Sequence, residues 1–336
     1  MFDFIPDYIF LFAFGLILLI KGGDWFVDAA SGLAKRWGLP ELLIGATVVS
    51  IGTTLPEVMT SALAAVGGAG EIAYGNAIGS IICNTSLIAA TTIAIKPGKA
   101  DKKSLIFPVA FFFGTAVFYA LNAYVFGEFR LWAGIVLLAL FVIYMIVNVV
   151  NMKKDSDGDA PVEITELPEK AEEQGGSMAK DLIMLVFGAF VIAVGAHLLV
   201  KSATTIAENL GIPESVIALT VVALGTSLPE LVTAITSLIK GHGALSLGNI
   251  IGANVFNLVL VSGVSVVLSP FSVPETSTLF GQNTSLVLDI PVMLAVMAIM
   301  TLPAIFRGKL ARWQGIALLA IYVAFTVVQF VFVQPV

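Results

Sequence analysis

The sequence predicts an all-α membrane protein of ten transmembrane helices, arranged as two five-helix repeats of inverted topology. Three observations carry this. Of 336 residues, 58% are hydrophobic and 12% charged, and the mean hydropathy is +0.99, so a soluble chain would lack the polar surface to cover its apolar residues. Long charge-free runs recur, among them 72–95, 104–127, 131–152, 244–274, 290–306 and 313–336, each near the ~20 residues a helix needs to cross hydrocarbon. Finally, two segments 173 residues apart are closely alike.

Period-two alternation is absent, which argues against a β-barrel. The helices are expected near 8–33, 39–66, 71–94, 104–122, 130–150, 179–206, 212–239, 244–267, 286–306 and 312–333. The first follows Met1-Phe2-Asp3 with no basic leader and therefore reads as a mature span and not a cleaved signal. A net charge of −6 without a basic stripe argues against nucleic-acid binding, and the lone Cys83 allows no internal disulfide or thiolate cluster.

Orientation follows from the cations. With both termini outside, 14 of the 17 lysines and arginines fall in inner loops, as the positive-inside bias requires in a plasma or inner membrane. Arg130 and Lys201 lie at outer helix ends, and Lys21 lies within the first helix. Residues 153–178 form an acidic cytoplasmic linker between a first repeat, 1–152, and a second, 179–336. Asp155, Asp157, Asp159, Glu163 and Glu166 have the spacing of a Ca2+-binding loop. Ala160 stands where such a loop needs glycine and Pro161 follows it, so a solvated acidic linker is the better reading.

The repeat core spans 38–87 and 211–260. GLPELLIGATVVSIGTTLPEVMT from Gly38 aligns without gaps on GIPESVIALTVVALGTSLPELVT from Gly211, with 13 of 23 positions identical. The same shift matches Gly75, Asn76, Ile78, Gly79 and Asn84 with Gly248, Asn249, Ile251, Gly252 and Asn257. Further on, WAGIVLLA from Trp132 is echoed by WQGIALLA from Trp313. Five spans per copy is an odd number, so the second copy enters from the opposite side. Such repeats place a site near the midplane on discontinuous helices and point to a secondary transporter.

The shared motif carries the chemistry. Pro56 and Pro229 lack a donor N–H and clash with the carbonyls of Gly52 and Gly225, so each helix is expected to bend there. Freed carbonyls at mid-membrane need protein, water or an ion. Thr53, Thr54, Thr226 and Ser227 add hydroxyls beside the breaks, and Glu57 and Glu230 add carboxylates. Holding a carboxylate charged there costs roughly 2.5–3.5 kcal/mol on the insertion scale. No lysine or arginine is placed at mid-depth nearby, so a proton or a cation must compensate. All-oxygen ligands suit a hard cation, and two negative charges match one Ca2+ or about two monovalent ions.

Asn84 and Asn257 serve either as interhelical hydrogen-bonding groups or as ligands. Their matched placement after GN-x-I-G favours ligands. Asp24, Asp28 and Asp289 read as rim acids, and Cys83 as a packed small side chain.

These residues resemble the cation/Ca2+ exchanger superfamily, specifically its prokaryotic-type Na+/Ca2+ exchanger branch, through the paired GT[TS]LPE and GNxIG segments. The resemblance covers essentially the whole chain. It implies an antiporter, not an enzyme, that exchanges Na+ for Ca2+ by alternating access, electrogenically, without a cofactor or an obligatory protein partner. It further implies that Glu57 and Glu230 are the central shared ligands, with Thr53 and Thr226 giving backbone and hydroxyl oxygens. Ser50 and Ala223 would supply carbonyls, Ser80 a hydroxyl for one Na+ site, and Asn84 and Asn257 central amides. Thr54 and Ser227 would brace the site.

Three departures matter. Ala253 stands where the family commonly has a second serine, which puts one Na+ site in doubt. Asn257 replaces the aspartate of some K+-dependent relatives, and Ile81 an asparagine that Asn254 retains in the second copy. GNAIG and GNIIG lack the acidic residue typical of the Ca2+/H+ branch and so favour Na+ as the driving ion. The alternatives are a Ca2+/H+ or other divalent cation/H+ exchanger and, in other classes, a cation channel or an intramembrane hydrolase.

Overall fold

The structure is a computed structural model and describes residues 7–157, 178–209, 225, 227–275 and 277–335. Ala223, Thr226, most of the linker and the first part of the seventh expected span lie outside these. Among the described residues nine helices are long and apolar enough to cross a membrane. In chain order they are α1 (Asp7–Trp37), α2 (Glu41–Val66), α3 (Gly70–Ile95), α4 (Lys102–Phe126) and α5 (Leu131–Asp157), then α6 (Met178–Asn209), α8 (Gly243–Leu268), α9 (Ser285–Arg307) and α10 (Arg312–Val331). Between α6 and α8 lies α7, described over Leu228–Ile239.

Four helices, α1, α4, α5 and α6, outrun their expected ends. α1 continues to Trp37, with Lys35 and Arg36 in its last turn, where cations complement the helix dipole. α5 continues to Asp157, so Asp155 and Asp157 lie on a helix and do not open a Ca2+-binding loop. The rest of that spacing, with Asp159, Glu163 and Glu166, falls outside the described residues.

The helix ends sort into two faces. At one, Glu128–Phe129 pairs with Phe271–Ser272, and Ser277–Leu279 pairs with both Gln282–Asn283 and Val333–Pro335. At the other, Lys99 bridges Lys309, and Ala100 N–H donates to the Gly308 carbonyl at 3.0 Å. Loops α4–α5 and α8–α9 thus share one face with the end of α10, and loops α3–α4 and α9–α10 share the other.

Two apolar clusters organise the packing. One joins α3, α4, α5, α8, α9 and α10. The other joins α1 and α6, laid along each other, with parts of α2 and α8. Close approach of α1 and α6 depends on glycine: a Cβ at Gly15 or Gly195 would stand 2.9 Å from the carbonyl oxygen of the other. Trp25 stacks on Phe187 at 5.6 Å, and Arg36 pairs with Asp181 at 2.6 Å.

The proline breaks differ from expectation in one copy. α2 runs through Pro56 as continuous helix, and its irregularity is a π turn upstream at Gly45–Val49. There the Ser50 hydroxyl donates to the Gly45 carbonyl at 2.7 Å, satisfying an oxygen that the widened turn would otherwise strand. At the matched proline the break is present. Ser227 has non-helical backbone angles (φ −91°, ψ 6°), and Pro229 sits in the first turn of α7, where its missing N–H costs no helical bond.

Candidate functional site

α2, α3, α7 and α8 converge on a cluster of buried polar groups. Glu57 on α2 and Glu230 in the first turn of α7 are fully buried, 0% exposed, and lie close enough for their charges to interact. None of the four carboxylate oxygens has a well-formed hydrogen bond, although the Thr53 and Thr54 hydroxyls lie near Glu230. No lysine or arginine in a described ion pair reaches them: Arg36, Arg130 and Lys240 pair elsewhere.

Asn84 and Asn257 complete the cluster from α3 and α8. Each begins a π turn, Asn84–Ala89 and Asn257–Val261. A π turn widens the helix and displaces the side chain at its start, a distortion common at functional sites. Both amides are fully buried, and neither their nitrogens nor their oxygens have hydrogen-bond partners. The interhelical bonding that would explain them structurally is therefore not made. Thr54 and Ser227 are likewise buried with unpartnered hydroxyls.

Such a set is costly unless something satisfies it, since each stranded buried group forfeits about 1–3 kcal/mol and charged groups more. What it can satisfy is a cation. It offers two carboxylates, two amide oxygens and several hydroxyls, with neither histidine nor thiolate in the set. Among the described residues no group of three or more His, Cys, Asp or Glu side chains forms a metal cluster, so the donors are mainly neutral oxygens around two acids.

The remaining expected residues divide. Thr53 is buried beside the cluster, its hydroxyl donating to Asn249 Oδ1 at 3.2 Å. The Ser50 hydroxyl donates to the Gly45 carbonyl and, at 2.9 Å, to the Asn249 carbonyl, so this side chain ties α2 to α8. Ser80 is buried on α3 and Ala253 on α8. Ala223 and Thr226 are outside the described residues. The rim acids are engaged elsewhere: Lys240 pairs with Asp28 at 2.7 Å and Asp24 at 3.4 Å, and Asp289 accepts from Gln329 at 2.7 Å.

Sequence reasoning left Asn249 and Asn76 without a role. Asn249 receives both Thr53 and Ser50, and Asn76 donates to the Glu57 carbonyl at 3.3 Å and to the Ser61 hydroxyl at 2.8 Å. Each asparagine therefore holds the α2 segment that carries Glu57. The signal was present in GN-x-I-G, read there only as a repeat marker. The glycines of the second such motif have their own reason: a Cβ at Gly248 or Gly252 would collide with the α2 backbone at Leu42 and Ala46.

Comparison with known proteins agrees with this architecture. Residues 8–150 and 180–331 match the family model described as sodium/calcium exchanger protein. The chain is 34% identical to the sodium/calcium exchanger MaX1 of Methanosarcina acetivorans, over 94% of this chain and 96% of that one. It is 36% identical to the uncharacterized membrane protein MJ0091 of Methanocaldococcus jannaschii, over 93% and 94%. Solved structures of the sodium-calcium exchanger NCX_Mj superpose with a TM-score of 0.77 at 33% identity, covering 95% of this chain and 97% of theirs.

Proposed function

The chain belongs to the sodium/calcium exchanger family, a multi-pass membrane transporter and not an enzyme, and from that premise we propose that it drives Ca2+ across the membrane against Na+ by alternating access. The observation that carries this reading is the stranded oxygen cluster around Glu57 and Glu230. Two buried carboxylates with no counter-charge among the described residues are stable together only when protons or a cation compensate them, and the oxygen-rich surroundings favour the cation. One Ca2+ cancels both charges. Na+ ions entering the same oxygens cancel them in turn, so the two substrates exclude each other electrostatically.

In this mechanism Glu57 and Glu230 are shared ligands. Thr53, Thr226, Asn84 and Asn257 contribute neutral oxygens, with backbone oxygens from Ser50 and Ala223 and the Ser80 hydroxyl serving Na+. Thr54 and Ser227 brace the site. An unloaded site carries two unbalanced charges into low dielectric, which makes the empty crossing expensive and couples movement to loading. Three Na+ against one Ca2+ would move one net charge per cycle, with Ala253 weakening one Na+ position.

The repeats 1–152 and 179–336 are taken as inverted halves joined by a cytoplasmic linker at 153–178, with both termini outside. The sorting of helix ends into two faces accords with an odd number of crossings per half. α1 and α6, packed on each other more than on the remaining helices, form the unit that moves against the site.

The test is Ca2+ uptake into proteoliposomes. Uptake driven by an outward Na+ gradient, and accelerated by a membrane potential of the appropriate sign, is expected. Uptake with a pH gradient alone would move the chain to Ca2+/H+ exchange, and gradient-independent single-channel currents would make it a channel.

A further inference from the structure

Beside the Glu230 end of the cluster lies a cavity of about 150 Å³ lined by Cys83, Leu87 and Ile88 of α3 and by Ser227, Leu228 and Leu231 at the start of α7. The shift that relates the two copies matches Cys83 with Phe256, and the surroundings correspond as well. The Phe256 ring packs edge-on against Phe141 of α5 at 5.2 Å and Tyr144 at 5.9 Å. The Cys83 thiol reaches the hydroxyl of Tyr322 on α10, and Tyr322 is the residue that the WAGIVLLA and WQGIALLA echo aligns with Phe141. Phe256 in the second copy thus packs on α5, where the smaller Cys83 of the first copy reaches α10 and lines the cavity.

The cavity suits one class of occupant. Among the described residues its walls are four aliphatic side chains and a thiol, apart from the Ser227 hydroxyl, which is buried and without a well-formed hydrogen bond. A dry, aliphatic cavity of this volume takes a single benzene-sized molecule. Leu87, Leu228 and Leu231 are only half buried, so among the described residues the cavity is not fully enclosed. We propose that it is a binding site for one uncharged, lipid-soluble aromatic ring, and that the ring wedges α7 against α3 and arrests exchange. The second half of this statement rests on the exchange reading above, because the wedge acts only if α7 must shift for Glu230 to change its exposure.

The experiment uses iodobenzene as probe. Crystals of the full chain soaked in it are expected to show an anomalous iodine peak between Cys83 and Leu231, absent from Cys83→Phe crystals, in which the ring is built in. In proteoliposomes the same probe is expected to slow Na+-driven Ca2+ uptake at least about fivefold in the parent protein, whereas Cys83→Phe, whose built-in ring acts as the wedge, is expected to be slow without the probe and to be slowed no further by it. Leu231→Phe fills the cavity from the opposite wall and gives the same pattern should Cys83→Phe fail to fold. No iodine in the parent cavity, or iodine in both proteins, overturns the site. Iodine in the cavity with unslowed uptake overturns the wedge. Absence of Na+-driven uptake without any probe overturns the exchange reading, while the crystallographic result still decides the site.

Discussion

Ser80, Ile81 and Cys83 on α3 correspond to Ala253, Asn254 and Phe256 on α8, whereas the asparagines that follow, Asn84 and Asn257, are the same. The identical pair faces the central cluster with no partner of its own. Two of the differing pairs, Ile81 with Asn254 and Cys83 with Phe256, face neighbours that also differ. Asn254 donates to Thr85 across the two copies at 2.7 Å and reaches the Met297 sulfur at 3.2 Å, while Ile81 is buried in apolar packing. Phe256 packs against Phe141, whereas Cys83 lines a cavity. On the exchange reading, a duplicated site needs matched residues only where both copies touch the same ion. One turn away, each copy has fitted its own surroundings.

The comparison can be broken most severely at the shared residues. Glu57→Gln or Glu230→Gln removes one of two charges from a fully buried site, and a loss of about 3 kcal/mol in cation binding corresponds to roughly a hundredfold. Ca2+ uptake is expected to fall at least that far in either variant; retention of parent-like uptake in one of them would remove the central claim. Next in size is Phe256→Cys, which copies the first repeat into the second. It should cost about 3 kcal/mol through cavity formation, read as a lowered unfolding temperature in detergent, with the Na+ dependence of uptake unchanged.

Asn254→Leu copies the apolar character of Ile81 and removes the donor to Thr85, whose hydroxyl keeps only its contact with the Met297 sulfur at 3.4 Å. A destabilisation of about 1–2 kcal/mol is expected, again by thermal unfolding, and no loss would show that the cross-copy bond contributes nothing. Ala253→Ser restores the hydroxyl of Ser80 to the second copy. One added neutral ligand, at about 0.5–1.5 kcal/mol, should lower the Na+ concentration for half-maximal uptake by roughly two- to tenfold, and Ser80→Ala should raise it by a similar factor. The smallest effect belongs to Lys240→Met, which breaks the exposed pairs to Asp24 and Asp28 and should change stability by under ~1 kcal/mol.

Much of this was legible beforehand because the relevant signals are one-dimensional. Helix number and approximate ends follow from hydropathy and length, and the described ends of α2, α3, α8, α9 and α10 fall within a few residues of expectation. Glu57 and Glu230 stand out because charge is rare in the chain and because each follows a matched Leu-Pro. Other features depend on partners that no local pattern announces. Pro56 was expected to break its helix as Pro229 does, yet the turn at Gly45–Val49 and the Ser50 hydroxyl absorb the irregularity upstream. Asn249 was visible only as a repeat marker until its bonds to Thr53 and Ser50 placed it.

By itself the sequence determined that this chain spans a membrane, that it is a duplication, and which acidic and amide residues the copies share, because lipid penalises charge strongly enough to make each exception informative. Only the tertiary structure decided that the four carboxylate oxygens and both amides are buried and left unpaired, and that a thiol lines a cavity in one copy where a phenyl ring is packed among aromatic side chains in the other. Pairing and packing are properties of neighbours brought from distant points of the chain, and residues 173 positions apart carry no local record of what each will touch.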